Sequence, residues 1–461
     1  MAGIGFELKK VIQRGGIVRF IGASLAGTAV VAGPWLLSVL GIFLIQRYAG
    51  LALSESPALF SAAIVYCYAF SLVIASGFHY IFTRQISDLI YEDKNREAAS
   101  ALASFVLATL IGSAGIAAAG LAPLRLEGIV SRPTLFIVSA GILFVSINLN
   151  WVIMSFISLL KSYTGILFVY LGGSLASFLG VMALGAPYGT GGALLGYALG
   201  QVFTTIVLYG MTLARFRPSR ISLKQFFVYL GRYRFLFLAG LLYAWATWAD
   251  KVVFWFAFGH RVEGSWFRVF DPYDVPIFFA ILTLIPGLLY FTIETETSFY
   301  PRLREFLRCI ASEPWQRIQE KKDAMIRSLS AGLREQSLLQ LICTAVLVLL
   351  APIIGRALFG SSVSIPALRI TLAAVFFHSL FLSLMIFLFY LELYGRAFLA
   401  VFVFFAVNLA ASLATAWLGN LDLLGLSYLL GGAAGCLSAG IFLARSIKRI
   451  DRTLFIRASG A

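Results

Sequence analysis

Long apolar runs separated by short polar stretches form the dominant pattern along this chain. Crossing about 30 Å of hydrocarbon as an α-helix takes roughly 20 predominantly apolar residues. The runs are rich in Leu, Ala and Phe, and they are too long for the alternating strands of roughly ten residues that build a membrane barrel. They predict twelve membrane-spanning helices, over residues 20–45, 58–81, 98–121, 134–160, 164–185, 191–214, 235–258, 276–294, 336–359, 367–391, 395–418 and 424–444. The chain is therefore expected to be an all-α polytopic membrane protein.

Two polar stretches break this pattern. Residues 215–234 mix six basic residues with apolar ones, which predicts a basic amphipathic linker on the cytoplasmic membrane surface. Six predicted spans precede this linker and six follow it, so we expect an N-terminal lobe over 1–214 and a C-terminal lobe over 235–461 around a central cavity. The second stretch, 299–334, predicts one or two amphipathic cytoplasmic helices broken at Pro314, which either rest on lipid headgroups or dock a protein partner.

Composition and charge agree with a membrane protein. Hydrophobic residues make up 60% of the chain and charged residues only 12%, with a mean hydropathy of +0.90, more than a soluble core could hide from water. If the N-terminus is cytoplasmic, 28 of the 36 Lys and Arg lie inside, seven lie outside, and one lies within a span. Basic loops mark the cytoplasmic side, so both termini are expected in the cytoplasm. These basic cytoplasmic segments explain the net charge of +15 without a role in nucleic-acid binding. Such a basic surface is attracted to anionic lipid headgroups.

The first predicted span carries Gly33 and Pro34. A proline inside a helix removes one hydrogen bond and bends the segment, so this pair predicts a kink, either static or able to gate a cavity. The apolar stretch is too long for a signal peptide, and we expect the helix to be retained.

Signals for catalysis and metal binding are weak. The sequence has no P-loop, no Gly-rich turn after a strand, and no cluster of His, Cys and Asp. Its four cysteines are widely separated and are expected to pack. Asp271 and Asp274 flank Pro272, which indicates a turn in an outer loop. We expect a protein that is not an enzyme and needs no cofactor or metal.

One predicted span contains two adjacent charges, Asp250 and Lys251, within residues 235–259. An ionisable group in hydrocarbon is costly unless it faces a partner or water. Counted at about 1.5 Å per residue, the two lie in the outer third of the bilayer. Consecutive residues on a helix are about 100° apart, so they are not expected to pair with each other. They predict either an ion pair with another helix or the lining of a transport path.

Five motifs follow one another from the first residue to past the middle of the chain: MAGIGFELKK (Met1–Lys10), GPWLLS (Gly33–Ser38), WADKVVFWF (Trp248–Phe256), YDVPIFFAILTLIPG (Tyr273–Gly287) and ETETSFY (Glu294–Tyr300). Together they resemble the PelG family of bacterial Pel exopolysaccharide inner-membrane transporters. The resemblance implies a relative of the multidrug, oligosaccharidyl-lipid and polysaccharide exporter superfamily, with an alternating-access cavity. It also implies a polysaccharide substrate, a cytoplasmic glycosyltransferase partner, and further membrane subunits of a Pel synthase complex, one of which reads cyclic di-GMP.

A polysaccharide path needs hydrogen-bonding groups and aromatic faces, because sugar hydroxyls require partners and sugar C–H faces pack on rings. The candidates for this path are Asp250, Lys251, Tyr243, Trp245, Trp248, Trp255, Glu294, Glu296, Asn148, Asn150 and His378. Asparagine and histidine in membrane helices more often form hydrogen bonds between helices than contact a substrate. The two glutamates are expected near the inner surface, where a structural role at a helix end is the more common one. The candidates for partner docking are Arg304, Phe306, Arg308 and Arg317.

Other functions fit the same pattern. A lipid-linked oligosaccharide flippase or a cation-coupled drug exporter would have the same architecture. A scaffold that assembles a synthase complex without transporting anything, and a membrane-embedded glycosyltransferase or acyltransferase, are further alternatives.

Overall fold

The computed structural model describes residues 45, 55–159, 163–216, 218, 221–359 and 363–451. These residues are almost entirely helical. The helices are α1 (Pro57–Tyr91), α2 (Asn95–Leu121), α3 (Pro133–Leu159), α4 (Tyr163–Arg215), α5 (Lys224–Arg232), α6 (Arg234–Ala257), α7 (Asp271–Leu282), α8 (Ile285–Glu294), α9 (Tyr300–Ser312), α10 (Trp315–Ile354), α11 (Ile365–Tyr390), α12 (Tyr394–Leu418) and α13 (Leu426–Ile447). Two π-helical segments, Thr295–Phe299 and Gly355–Phe359, follow α8 and α10, and a 3-10 turn covers Leu421–Leu423.

The predicted spans are confirmed wherever the structure describes them. Ten helical stretches in the described ranges are long and apolar enough to cross a membrane. The longest, α4, contains two of the predicted spans, because its helix is interrupted at Gly189, whose φ of 62° is left-handed. The described stretches thus account for eleven of the twelve predictions. The span expected over 20–45, with the kink expected at Gly33 and Pro34, lies outside the described residues except for its last position.

The two halves of α4 fold back on each other through small residues. A Cβ placed on Gly180 would lie 2.6 Å from the carbonyl oxygen of Gly196, and one placed on Gly196 would clash with the backbone of Gly180. Ser177 extends this seam, and its hydroxyl donates to the carbonyl of Tyr197 at 3.0 Å. In lipid no hydrophobic effect drives two helices together, so their association depends on van der Waals contacts. Small residues let the two helices approach closely enough to make such contacts.

The amphipathic stretch 299–334 differs from its prediction. Pro314 does separate two helices, but neither is an isolated surface helix. The first continues α8 through the π-helical segment Thr295–Phe299, and the second is the start of α10, which runs without a break into the predicted span over 336–359. The predicted span over 276–294 is in turn broken between α7 and α8 at Thr283 and Leu284.

Two further details were not expected from the pattern. The predicted basic linker contains the short helix α5, on which Phe226 is buried against Phe105 at a ring separation of 5.0 Å while Phe227 is 62% exposed. The loop after α6 forms a small antiparallel hairpin, in which β1 (His260–Arg261) pairs with β2 (Arg268–Val269).

The chain divides into two compact units. The N-terminal unit contains the described residues up to Trp245 together with Phe258–Val269, and the C-terminal unit contains Ala246–Ala257 and the described residues from Phe270 onward. The division falls within α6, some residues beyond the lobe boundary predicted at 235. In the N-terminal unit α3 packs along α4, and in the C-terminal unit α13 packs against α11 and α12.

Candidate functional site

Asp250 is the most deeply buried charged residue of the predicted path, with 0% exposure. It lies on the part of α6 that belongs to the C-terminal unit. The hydroxyl of Tyr273, on α7, donates a hydrogen bond to its carboxylate. Tyr273 is also 0% exposed, and its ring lies edge-on to that of Phe254 at 4.9 Å. Asp250 therefore has a partner on another helix, but this partner is a hydrogen-bonding tyrosine and not the member of an ion pair.

Lys251 also contacts Asp250, contrary to the expectation that consecutive residues would not pair. Its ammonium lies 3.4 Å from Asp250 Oδ1 and donates to the carbonyl of Thr247 at 2.8 Å. The long lysine side chain folds back along its own helix and so overcomes the angular separation of the two residues. The ion pair lies within one helix, and it is buried because Lys251 is only 7% exposed. Each charge therefore has an opposite charge beside it, which lowers the cost of burying both in hydrocarbon.

Two aromatic rings complete the surroundings of the Lys251 ammonium. It lies 5.5 Å from the ring centroid of Trp248 and 5.1 Å from that of Tyr428 on α13, both within the range of cation–π attraction. The hydroxyl of Tyr428 is 2.8 Å from Nδ1 of His378 on α11. We call these residues, Asp250, Lys251, Trp248, Tyr273, Tyr428 and His378, the charged cluster. It joins α6, α7, α11 and α13.

A second carboxylate lies close to this cluster. The indole N–H of Trp255 donates to Asp274 Oδ2 at 2.7 Å, and the backbone N–H of Phe270 donates to the same oxygen at 3.1 Å. Asp274 therefore stabilises the first turn of α7 by accepting the hydrogen bond from the backbone N–H of Phe270. The interpretation of this residue as part of a simple turn was wrong, since α7 begins at Asp271.

The remaining path candidates on α6 are not part of the charged cluster. Tyr243 and Trp245 belong to the N-terminal unit, and Trp245 is 39% exposed. Asn408, on α12, donates to the carbonyl of Ala246 at 2.8 Å and holds α6 against α12.

The candidate asparagines on α3 are satisfied within the N-terminal unit. Asn148 donates to the carbonyl of Phe144 on its own helix at 2.8 Å. Asn150 accepts a hydrogen bond from Thr205 Oγ1 at 2.8 Å and lies 3.4 Å from the side-chain oxygen of Gln201, to which it donates. Asn150 thus matches the interpretation of these residues as hydrogen-bonding groups between helices, whereas the hydrogen bond of Asn148 lies within α3. The role of both residues in transport stays a prediction.

Glu294 and Glu296 do not lie at a helix end, because the helix continues through the π-helical segment into α9. Glu296 lies inside this segment and is 2% exposed. Glu294 packs against α10, where a Cβ placed on Gly332 would lie 3.2 Å from Glu294 Cγ. π-Helical turns are often found at functional sites.

The docking candidates divide into exposed and buried residues. Arg304 and Arg308 are exposed on α9, whereas Phe306 is 0% exposed and is part of the protein core. The expectation that Phe306 lies on a docking surface is therefore wrong. Phe306 lies on the buried face of α9, whereas Arg304 and Arg308 lie on its exposed face. Arg317 is exposed and pairs with Glu313 at 3.1 Å.

Sequence reasoning missed Tyr273, Tyr428 and Asp274. Tyr273 and Asp274 begin the motif Tyr273–Gly287, just before the span predicted over 276–294. A polar pair at this position could have indicated partners for buried charge. Tyr428 stands four residues after Leu424 in an ordinary apolar run, and nothing in its spacing distinguishes it. Among the described residues, no group of three or more His, Cys, Asp or Glu side chains is placed to hold a metal ion.

These features define a class of protein: a multi-pass, all-α membrane protein with charged groups buried among its helices. Solved structures with a similar fold belong to the same class. A Vibrio cholerae MATE transporter, VcmN, in its bent form matches with a TM-score of 0.64 at 13% identity, covering 97% of this chain and 99% of the other. An outward-facing multidrug resistance MATE transporter of the MOP superfamily matches with a TM-score of 0.62 at 13% identity, covering 93% and 96%. A MOP superfamily transporter from Pyrococcus furiosus, titled for the reverse polarity of its binding pocket, matches with a TM-score of 0.57 at 13% identity, covering 92% and 96%.

The family is established by sequence. A family model described as "PelG: Putative exopolysaccharide Exporter (EPS-E)" matches residues 1–455. The chain belongs to the PelG family, as its five motifs suggested. A search among curated proteins finds no match.

Proposed function

We propose that this chain carries a nascent, Pel-like exopolysaccharide containing amino sugars across the bacterial inner membrane, as part of a synthase and export complex. The observation that carries the proposal is the family match over residues 1–455. The transporter fold supports it, because similar solved structures cover more than nine-tenths of both chains.

The charged cluster is the part of the C-terminal unit that we propose to serve export. Its groups suit a carbohydrate: Trp248 has a partly exposed aromatic face, and Lys251 is a donor held between two rings. Because Lys251 and Asp250 neutralise each other, the cluster adds polar character without leaving net charge in the membrane. We propose that it either lines the polymer path or holds the helices that do.

The export proposal is tested by removing the chain from a host that makes the polymer. Polymer in the medium, quantified by its amino-sugar content, should disappear on deletion and return with the wild-type chain. Trp248→Ala should lower secretion, and Trp417→Ala is the comparison, because Trp417 on α12 is 86% exposed and is not a path candidate. Undiminished secretion from the deletion strain would reject the proposal.

The same strains discriminate the alternative functions. A drug exporter should change sensitivity to toxic cations when expressed alone, and a flippase should leave lipid-linked sugar on the cytoplasmic face when deleted. If deletion changes drug sensitivity and leaves polymer secretion intact, the drug-exporter interpretation replaces ours.

We propose that a cytoplasmic glycosyltransferase docks on the exposed basic face of α9. Arg304, Leu307 and Arg308 are exposed there, with Leu307 at 45%, and this mixture of charge and apolar surface suits a protein partner. Arg304→Glu combined with Arg308→Glu should lower recovery of the enzyme in co-purification. Arg96→Glu is the control, because Arg96 is exposed on α2 in the N-terminal unit and is not a docking candidate. Full recovery of the enzyme with the double variant would contradict docking at this face.

A further inference from the structure

One face of α10 carries a polar row with a four-residue period. Ser328, Gly332, Gln336, Gln340 and Thr344 are all buried, with the two glutamines at 0% exposure. Residues four apart on a helix lie on the same face, one above another. At about 1.5 Å per residue the row extends roughly 24 Å along the helix. The second half of the row lies within the span predicted over 336–359.

The start of the row is connected to charged groups. Arg302, on α9, donates to Ser328 Oγ at 2.6 Å. One turn further, Glu294 packs against Gly332, where an added Cβ would approach Glu294 Cγ to 3.2 Å. The row therefore begins beside an arginine and a carboxylate and continues into the apolar part of α10.

The middle of the row meets α11 and the break between α7 and α8. Gln336 Nε2 donates to Ser379 Oγ at 3.2 Å, and Gln340 Nε2 donates to the carbonyl of Thr283 at 3.1 Å. An added Cβ on Gly287 would clash with Gln340 Oε1 and lie 3.1 Å from Ser379 Oγ. The glycine thus leaves room for polar side chains of α10 and α11 to converge.

Three polar atoms in this row have no hydrogen-bond partner in the described part of the chain. They are Gln336 Oε1, Gln340 Oε1 and Thr344 Oγ1. Buried polar groups are nearly always hydrogen-bonded, and in a membrane the partners must come from protein or from internal water. Three such atoms at successive turns of one face indicate a continuous ligand rather than three separate defects.

We propose that this polar row binds a chain of internal water molecules, which enters beside Glu294 and reaches Thr344. The two amide oxygens accept hydrogen bonds and the threonine hydroxyl both donates and accepts, which are the groups that bridging water needs. An alkali cation is disfavoured because Gln336, Gln340, Thr344 and Ser379 carry no charge to balance it. The water chain hydrates the contact of α10 with the broken helix α7–α8, independently of what the transporter carries.

The test measures water access to cysteines placed along the row in the full-length chain in membranes. The four native cysteines are first replaced by serine. Gln336→Cys, Gln340→Cys and Thr344→Cys are then exposed to a small, water-soluble methanethiosulfonate. The control is Ala351→Cys, on nearly the same face of α10 and also 0% exposed, but packed among apolar residues.

Because only a hydrated thiolate reacts readily, the row should react at least about tenfold faster than position 351. Equal, slow reaction at all four positions in folded protein would overturn the proposal. Thr344→Cys replaces one small side chain by another of similar size and decides the question if the glutamine variants do not accumulate. Reaction at 344 as slow as at 351 would then be sufficient to reject a water chain of this length.

Discussion

Removing the Lys251 ammonium should destabilise the C-terminal unit and impair export. Lys251→Met keeps most of the side-chain volume, and it leaves the fully buried Asp250 carboxylate with a hydrogen bond from the Tyr273 hydroxyl but without its ion-pair partner. Breaking a buried ion pair by removing one partner costs about 3–5 kcal/mol. Because Tyr273 still donates a hydrogen bond to the carboxylate, we expect the lower end, about 3 kcal/mol.

The double variant Asp250→Asn with Lys251→Met separates charge pairing from packing. It removes both charges, so no uncompensated charge remains, and stability should recover by about 1–3 kcal/mol relative to Lys251→Met alone. Lys94→Met is the matched control, because Lys94 pairs with Glu92 at 2.7 Å while both side chains are about half exposed. Exposed pairs of this kind contribute little to stability.

Thermal unfolding in detergent and polymer secretion at equal protein level are the two measurements. For a chain of 461 residues, an unfolding entropy of about 2 cal/mol/K per residue converts 3 kcal/mol into a shift in Tm of about 3 °C. Lys251→Met should show this shift and reduced secretion, and Lys94→Met neither. If the two variants have the same Tm and secrete equally, the charged cluster is dispensable and the reasoning from burial fails.

Three further predictions follow from other parts of the molecule. Gly196→Ala should destabilise the N-terminal unit by about 1–3 kcal/mol, because the new methyl group would meet the backbone of Gly180; an unchanged Tm would contradict this contact. With both termini cytoplasmic, Arg304→Cys should react with an impermeant thiol reagent only from the inside and Asn420→Cys only from the outside, and labelling of position 304 from the outside would invert the topology. Glu55→Ala should cost about 1–3 kcal/mol, since its carboxylate accepts two backbone N–H groups at 3.2 Å; a loss no larger than that of an exposed glutamate such as Glu97 would count against it.

The spans could be predicted from the sequence because hydrocarbon imposes one simple requirement. About 20 apolar residues in a row satisfy it, and polar loops between such runs mark the ends. Continuity across the loops was harder to predict. Residues 299–334 are amphipathic, and an amphipathic helix has the same pattern whether it lies alone on a surface or extends a spanning helix, as it does in α10.

The candidate site was only partly accessible to the same reasoning. Asp250 and Lys251 stand out because charge in an apolar run is rare. Their partners Tyr273 and Tyr428 come from α7 and α13 and lie 23 or more positions away in sequence, so only the tertiary fold brings them together. The pairing of the two charges was also missed, because the angular rule for helices describes Cβ directions and not the reach of a lysine.

Buried polar groups in a membrane need partners from the protein or from internal water. The charged cluster and the polar row of α10 meet this need in different ways. In the charged cluster Asp250 and Lys251 are matched by protein groups, which favours a single arrangement of the four helices it joins. Along α10, Gln336, Gln340 and Thr344 keep unmatched polar atoms, and water that bridges them can rearrange when neighbouring helices shift. A transporter needs both a stable frame and a contact that moves. We therefore expect substitutions in the charged cluster to reduce stability and export together, whereas Thr344→Val should reduce export with little loss of stability, because it keeps the side-chain volume and removes a hydroxyl that has no partner in the described part of the chain.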